Sequence, residues 1–133
     1  MIHVSIMLLT LPDGRIVFQR RDGNTHISPH LLGFFGGHVE EGETYDEAMV
    51  REMGEETSLD IDSLKWEFVQ DFTVSPNTEN PATFHLYWAE IPDIKFEVFE
   101  GVRAEVYTRE EALARDDVAR APMYVLTKIL KEK

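Results

Sequence analysis

The stretch G36-GHVEEGETYDEAMVREMGEETS-L59 decides how this chain is read. From Glu40 to Asp62, three residues past its end, the chain holds ten Asp or Glu residues and one basic residue, Arg51. Like charges four apart on a helix cost a few tenths of a kcal/mol per pair. Thr44 with Glu47 three residues later forms a capping box, so a helix is expected to start there and run to about Thr57. On such a helix Glu52, Glu55 and Glu56 stand at i, i+3 and i+4 and project from one face. Met49 and Met53, with Val50 beyond, form an adjoining stripe suited to packing on a sheet. The carboxylates therefore sit beside a packed face on a rigid element. Hard oxygen donors in that arrangement suit Mg²⁺ or Mn²⁺ and, through the metal, substrate phosphates. A Glu-rich helix can also be no more than a solvated surface, so the flanking residues have to decide.

Gly36-Gly37 lets the backbone turn tightly and approach a ligand. Arg51 is placed to reach carboxylates in the turn before the helix and at i+4. Gly37, five residues, Glu43, seven residues, then Arg51-Glu52-Met53-Gly54-Glu55-Glu56-Thr57-Ser58-Leu59 resembles the Nudix box, G-x5-E-x7-R-E-U-x-E-E-x-G-U, where U is aliphatic. One defining position departs: Ser58 stands where the family has Gly. A Gly there usually serves as a left-handed helix C-cap, and Ser in that conformation would cost about 1 kcal/mol.

The resemblance implies an α/β fold, an α/β/α sandwich around a central mixed β-sheet, with residues 1–133 forming one domain. It implies divalent-metal-dependent hydrolysis of a pyrophosphate bond in a nucleoside diphosphate linked to another group. A nucleoside triphosphate, ADP-ribose or a dinucleoside polyphosphate would serve, with release of a nucleoside monophosphate. Carried over by position, the Gly36 carbonyl, Glu52 and Glu56 would hold Mg²⁺ or Mn²⁺. Glu55 would complete the cluster or orient water, and Glu43 and Arg51 would brace the ligands. Many members add a later Glu before the last strand. Glu100 in F99-EG-V102 is the candidate here, as metal ligand or base, with Glu97 and Glu105 as rivals. The alternative is a catalytically silent Nudix-fold domain that binds nucleotides as a sensor. Such domains typically lose the box carboxylates, which are present here.

The rest of the chain agrees in order. Residues 2–10 and 15–20 flank the L11-PD-G14 turn and read as a hairpin. L31-LGFFGGHV-E40 reads as a strand entering a tight loop, residues 64–74 and 82–91 as strands, and residues 102–108 as an alternating strand. Thr108 with Glu111 is a second capping box, and Pro122 suits the first position of a C-terminal helix. Arg20 and Arg21 end the hairpin and could grip phosphates. Phe34, Phe35, Tyr87 and Trp88 could stack a base. His26 and His38 flank the glycine loop. Sanitising members that read an oxidised guanine often carry an Asn before the last helix, and A119-RAP-M123 offers none. Pro76 lies near the place of a Pro often found in ADP-ribose hydrolases.

A net charge of -12 argues against unaided binding to nucleic acid or anionic lipid, which needs clustered Lys and Arg. The absence of Cys excludes disulfides and thiolate chemistry. The apolar start, M1-IHVSIMLLT-L11, lacks a basic flank and is too short to span a bilayer. A cytoplasmic monomer or homodimer acting on a small-molecule nucleotide is expected.

Overall fold

In a computed structural model, residues 2–23, 30–75 and 81–130 are described. His26 and Pro76 lie outside them.

The centre of the molecule is β1 (Ile2–Thr10). It runs parallel to β6 (Ala82–Glu90) along its whole length, from Ile2↔Ala82 to Thr10↔Glu90. Its other edge is shared. Leu9 and Thr10 pair with β2 (Ile16–Arg20), completing the expected hairpin, while Val4 to Met7 pair with β4 (Phe35–His38). β5 (Glu67–Val74) pairs with β6, β3 (Leu32–Gly33) and β7 (Arg103–Tyr107) pair with β2, and one mixed seven-stranded sheet results. The expected strand at 31–40 is thus two short strands. Phe34 breaks it, and its ring goes to one sheet face while that of Phe35 goes to the other.

Each face is covered by helix. On one, α1 (Tyr45–Glu56) lays Met49 and Met53, both fully buried, against Met7, Leu9, Val17 and Tyr87. Burying each Met contributes roughly 1.5–3 kcal/mol. On the other, α2 (Arg109–Leu113) and α3 (Arg120–Tyr124) cover Ile6, Phe18, Phe84 and Leu86 through Ala112, Ala121, Val125 and Leu126. This is the expected α/β/α arrangement. Both capping boxes form, with Glu47 N–H donating to Thr44 Oγ1 at 3.1 Å and Glu111 N–H to Thr108 Oγ1 at 3.0 Å. Pro122 stands third in α3, after Arg120 and Ala121, and α3 runs on as a wider turn over Val125–Ile129. Its missing N–H does no harm there, because first-turn N–H groups lack helical partners.

The end of α1 corrects one expectation. Among the described residues only His30 has positive φ outside glycine, so Ser58 is not a left-handed cap. The chain leaves α1 extended at Thr57, which bridges antiparallel to Val98. Phe99 N–H donates to the Glu56 carbonyl at 2.6 Å, Ser58 N–H to the Glu97 carbonyl at 3.0 Å, and Glu97 N–H to Ser58 Oγ at 2.8 Å. The orphan end of the helix is thus closed by residues 97–99, and the Ser hydroxyl supplies one of the acceptors.

The two conformations predict opposite signs for Ser58→Gly. A left-handed cap would gain about 1 kcal/mol from Gly. In the extended conformation Gly loses the hydroxyl acceptor and adds unfolded-state freedom, so stability should fall by about 1 kcal/mol. Thermal melts should show the midpoint lowered by roughly 3–4 °C. A raised midpoint would contradict this account of the helix end.

Candidate active site

The glycine pair lies inside β4, between Phe35 and His38, beside the last turns of α1. Gly36 adopts φ +138°, and a Cβ there would meet the Ser5 carbonyl oxygen at 2.1 Å, so no other residue fits. Its N–H donates to Glu56 Oε1 at 2.8 Å. A Cβ on Gly37 would fall 2.5–2.6 Å from the Glu52 carboxyl group. Gly36 thus lets β4 lie close on β1, and Gly37 leaves the room that the Glu52 carboxylate occupies. Glu52, Glu56 and Glu100 open onto one cleft of about 390 Å³, which Gln19 and Arg21 also line. Arg21, Gly36 and Gly37 also border an apolar cavity of about 120 Å³ formed by Val4, Phe34, Phe84, Ala121 and Pro122.

Arg51 ties the glutamates together. Its Nε and Nη2 grip both oxygens of Glu43 at 2.6 and 2.9 Å. Nη1 reaches Glu52 at 2.9 Å and Glu55 at 2.8 Å, and Nη2 also donates to the His38 carbonyl at 3.0 Å. One guanidinium therefore fixes the loop, the helix and the end of β4 relative to one another. The Arg51 guanidinium holds the Glu43 carboxyl down at about 2. Glu55 turns toward Arg51 and solvent, with 47 % of its side chain exposed, and does not line the cleft.

Glu56 is the unusual group. It is 4 % exposed, and burial pushes its carboxyl up to about 8, helped by the charges of Glu52 and Glu100 and a hydrogen bond with Glu100. The Gly36 N–H opposes that rise. Glu52 is also raised, mainly by burial, with Arg51 pulling the other way. Among the described residues no three ligand side chains converge as a ready-made metal cage. Arg51 holds one oxygen of Glu52, and Gly36 holds one of Glu56. The donors are nonetheless hard oxygens around a shared cleft, short of positive charge, which is the chemistry Mg²⁺ or Mn²⁺ meets.

Other expected site residues fall elsewhere. The guanidinium of Arg20 forks onto Glu105 at 2.8 and 2.9 Å and meets Asp117 at 2.9 Å and the His30 carbonyl at 3.0 Å. It lines neither cavity and is spent on structure, so its expected grip on phosphate is corrected; the same pair removes Glu105 as a rival of Glu100. Phe35 is fully buried, edge-on to Phe96, and presents no face to a base. Phe34, 4 % exposed, packs on Phe18 and borders the apolar cavity instead. Tyr87 is core and donates to Asp46, and Trp88 donates to Thr10 Oγ1. Gln19 was not anticipated. Its only sequence signal is an amide ending an apolar strand run, Ile16 to Phe18, that is buried on both faces.

A family model, NUDIX domain, matches residues 1–126. The chain is 42 % identical over 52 residues to an uncharacterised Nudix hydrolase of Nostoc sp., covering 38 % of this chain. It is 38 % identical over 61 residues to a Nudix hydrolase of Deinococcus radiodurans, covering 45 % of this chain. It spans 31 % and 36 % of the length of those two relatives. A crystal structure from Deinococcus radiodurans superimposes with TM-score 0.84 at 26 % identity, over 98 % of this chain and 83 % of that one. A MutT protein of Methanosarcina mazei also gives 0.84, at 16 % identity over 98 % and 94 %. The dihydroneopterin triphosphate pyrophosphohydrolase of E. coli gives 0.77, at 17 % identity over 98 % and 96 %.

The raised Glu56 carboxyl has a sign that solution measurements can read. The folded value lies above the ordinary 4.5, so its contribution is fully present below about 4.5 and is lost as pH rises through about 8. In chelator the protein should lose on the order of a few kcal/mol across that window. Urea unfolding of wild type and Glu56→Gln checks this. The variant should lose most of the slope, and an equal slope in both proteins would rule Glu56 out as its source.

Proposed function

The chain belongs to the Nudix family, and from that premise we propose that it is a divalent-metal-dependent pyrophosphohydrolase of small-molecule nucleotides. The observation that carries the proposal is the meeting of Glu52, Glu56 and Glu100 at one cleft beside the glycine turn. Three carboxylates gathered at one cleft, with burial raising the proton affinity of Glu52 and Glu56, are a stability cost in a protein that binds no cation. In one that does, they are a site. The carboxylates of the box are all present, which favours hydrolysis over silent nucleotide binding.

In this reading Glu52, Glu56 and the Gly36 carbonyl would hold Mg²⁺ or Mn²⁺, with Glu100 at their edge. Bound there, the metal would neutralise phosphoryl charge and lower the pKa of a water. Glu100, which lines the same cleft and touches Glu56, would take the proton from the attacking water. Arg51 and Glu43 hold the helix and loop in register so that the carboxylates keep their spacing. Arg21, shared by the cleft and the apolar cavity, lies where a phosphate chain would pass from one to the other. The cavity between Phe34, Phe84 and Pro122 would take the apolar faces of a base. A nucleoside triphosphate or another nucleoside diphosphate derivative fits this succession of charged cleft and apolar cavity. Among the described residues no helix is long and apolar enough to cross a membrane. The proposal is of one cytoplasmic domain, monomeric or homodimeric, with Mg²⁺ or Mn²⁺ as cofactor.

Turnover of a nucleotide panel, read as phosphate release after phosphatase coupling, tests the proposal. Activity should require added Mg²⁺ or Mn²⁺ and should yield a nucleoside monophosphate. Undiminished turnover in excess chelator would sink it. Glu56→Gln should abolish activity and most of the rise in melting temperature that Mg²⁺ gives wild type, since a ligand of the folded state stabilises it. An equal rise in both proteins would remove Glu56 from the ligand set.

Three further substitutions separate chemistry from structure. Glu100→Gln should lower kcat by about 10²-fold or more. Glu97→Gln should leave it near wild type. Glu105→Gln should act on stability, by about 1–3 kcal/mol, because it removes the charge of the fork on Arg20 and leaves Asp117 as its ionic partner. If Glu97→Gln is the variant that loses kcat, the assignment of Glu100 fails.

A further inference from the structure

We propose that Gln19 is a positioning residue that sets the reactive placement of Glu100. The inference rests on the hydrolytic reading above and goes beyond it, to a side chain outside the acidic helix and its loop.

Glu100 lies in a short span hung between two backbone anchors. On one side Phe99 N–H donates to the Glu56 carbonyl at 2.6 Å, which ties the span to the end of α1. On the other Val102 N–H donates to the Arg20 carbonyl at 2.8 Å, which ties it to the end of β2. Between them comes Gly101, at φ +84°, where a Cβ would fall 2.7 Å from the Arg20 carbonyl oxygen. Glycine has the widest conformational freedom of any residue, so the span cannot hold its own shape. The constraint comes from below. Gln19 Nε2 donates to the Glu100 carbonyl at 3.0 Å, and the Gln19 stem packs under Gly101.

Gln19 is itself an unexpected choice at its position. It is 3 % exposed, and Ile16, Val17 and Phe18 before it are all buried. An amide in such a place costs stability unless it is hydrogen-bonded, and an apolar residue would fill the same space without that demand. What the amide supplies is a donor aimed at one carbonyl, that of the residue whose carboxylate touches Glu56. β2 is braced on both sides, by Gly33 of β3 and Ala104 of β7 opposite Gln19. The peg is therefore held in the sheet, paired on both sides.

A merely structural Gln19 and a positioning one differ in whether their effect runs through Glu100. The test is a double-mutant cycle of Gln19→Met and Glu100→Gln, with kcat, KM and the Mg²⁺-linked rise in melting temperature as readouts. Gln19→Met keeps length and apolar volume and removes the donor. Alone it should lower kcat about tenfold with KM unchanged, and reduce the Mg²⁺-linked rise. In the Glu100→Gln background it should do neither. Gln19→Leu, which also lacks the donor, should repeat the result and serves if the Met variant does not fold. Equal effects of the Gln19 substitution in both backgrounds, or full kcat with a full Mg²⁺-linked rise, would overturn the proposal. A wild type inactive across the nucleotide panel would overturn the hydrolytic reading instead, and the melting cycle would then decide Gln19 alone.

Discussion

The structure depends on the crowding of carboxylates at the end of α1. Glu56 is buried within reach of Glu52 and Glu100, and it accepts from the N–H of Gly36. That contact requires β4 to pass close to the helix in a conformation open only to glycine. It also requires β1 beneath, because Ile6 and Ser5 pair with Gly36 and Gly37. Arg51 then pairs with Glu43, Glu52 and Glu55, while Glu56 accepts from the N–H of Gly36. Charge is thus divided between carboxylates braced by Arg51 and the buried Glu56. The proposed metal belongs beside Glu56.

The remainder of the fold reads as support for that division. The parallel pairing of β1 with β6 gives α1 a stiff floor, and Met49 and Met53 seat the helix on it. Residues 97–99 close the helix end and carry Glu100 to the cleft, so helix termination and site assembly are one event. The half-buried pair of Arg20 with Glu105 locks β2 to β7 next to the span bearing Glu100. The opposite face, with α2 and α3, forms the apolar cavity beside the cleft.

Much of this was legible in the sequence, for physical reasons. The capping boxes at Thr44 and Thr108 are local, and both form. The methionine stripe and the hairpin follow from periodicity, and the spacing of Gly37, Glu43, Arg51 and the glutamates carried the family. What escaped depended on distant partners. Arg20 looked free until Glu105 and Asp117, far along the chain, came to meet it. Phe34 and Phe35 looked alike until the sheet sent them to opposite cores. Ser58 looked like a strained cap because its true partner, the Glu97 N–H, arrives from another segment. Gln19 took its meaning from a carbonyl 81 residues away.

The central claim is that a divalent cation replaces a proton held at Glu56. Calorimetric titration of the protein with Mg²⁺ or Mn²⁺, in buffers of different ionisation enthalpy, counts the protons released. Near neutral pH, below the value of about 8 to which burial lifts Glu56, binding should release close to one proton. The release should fade as pH rises past that value, and should be absent in Glu56→Gln. Metal binding with no proton release near neutral pH would contradict the account.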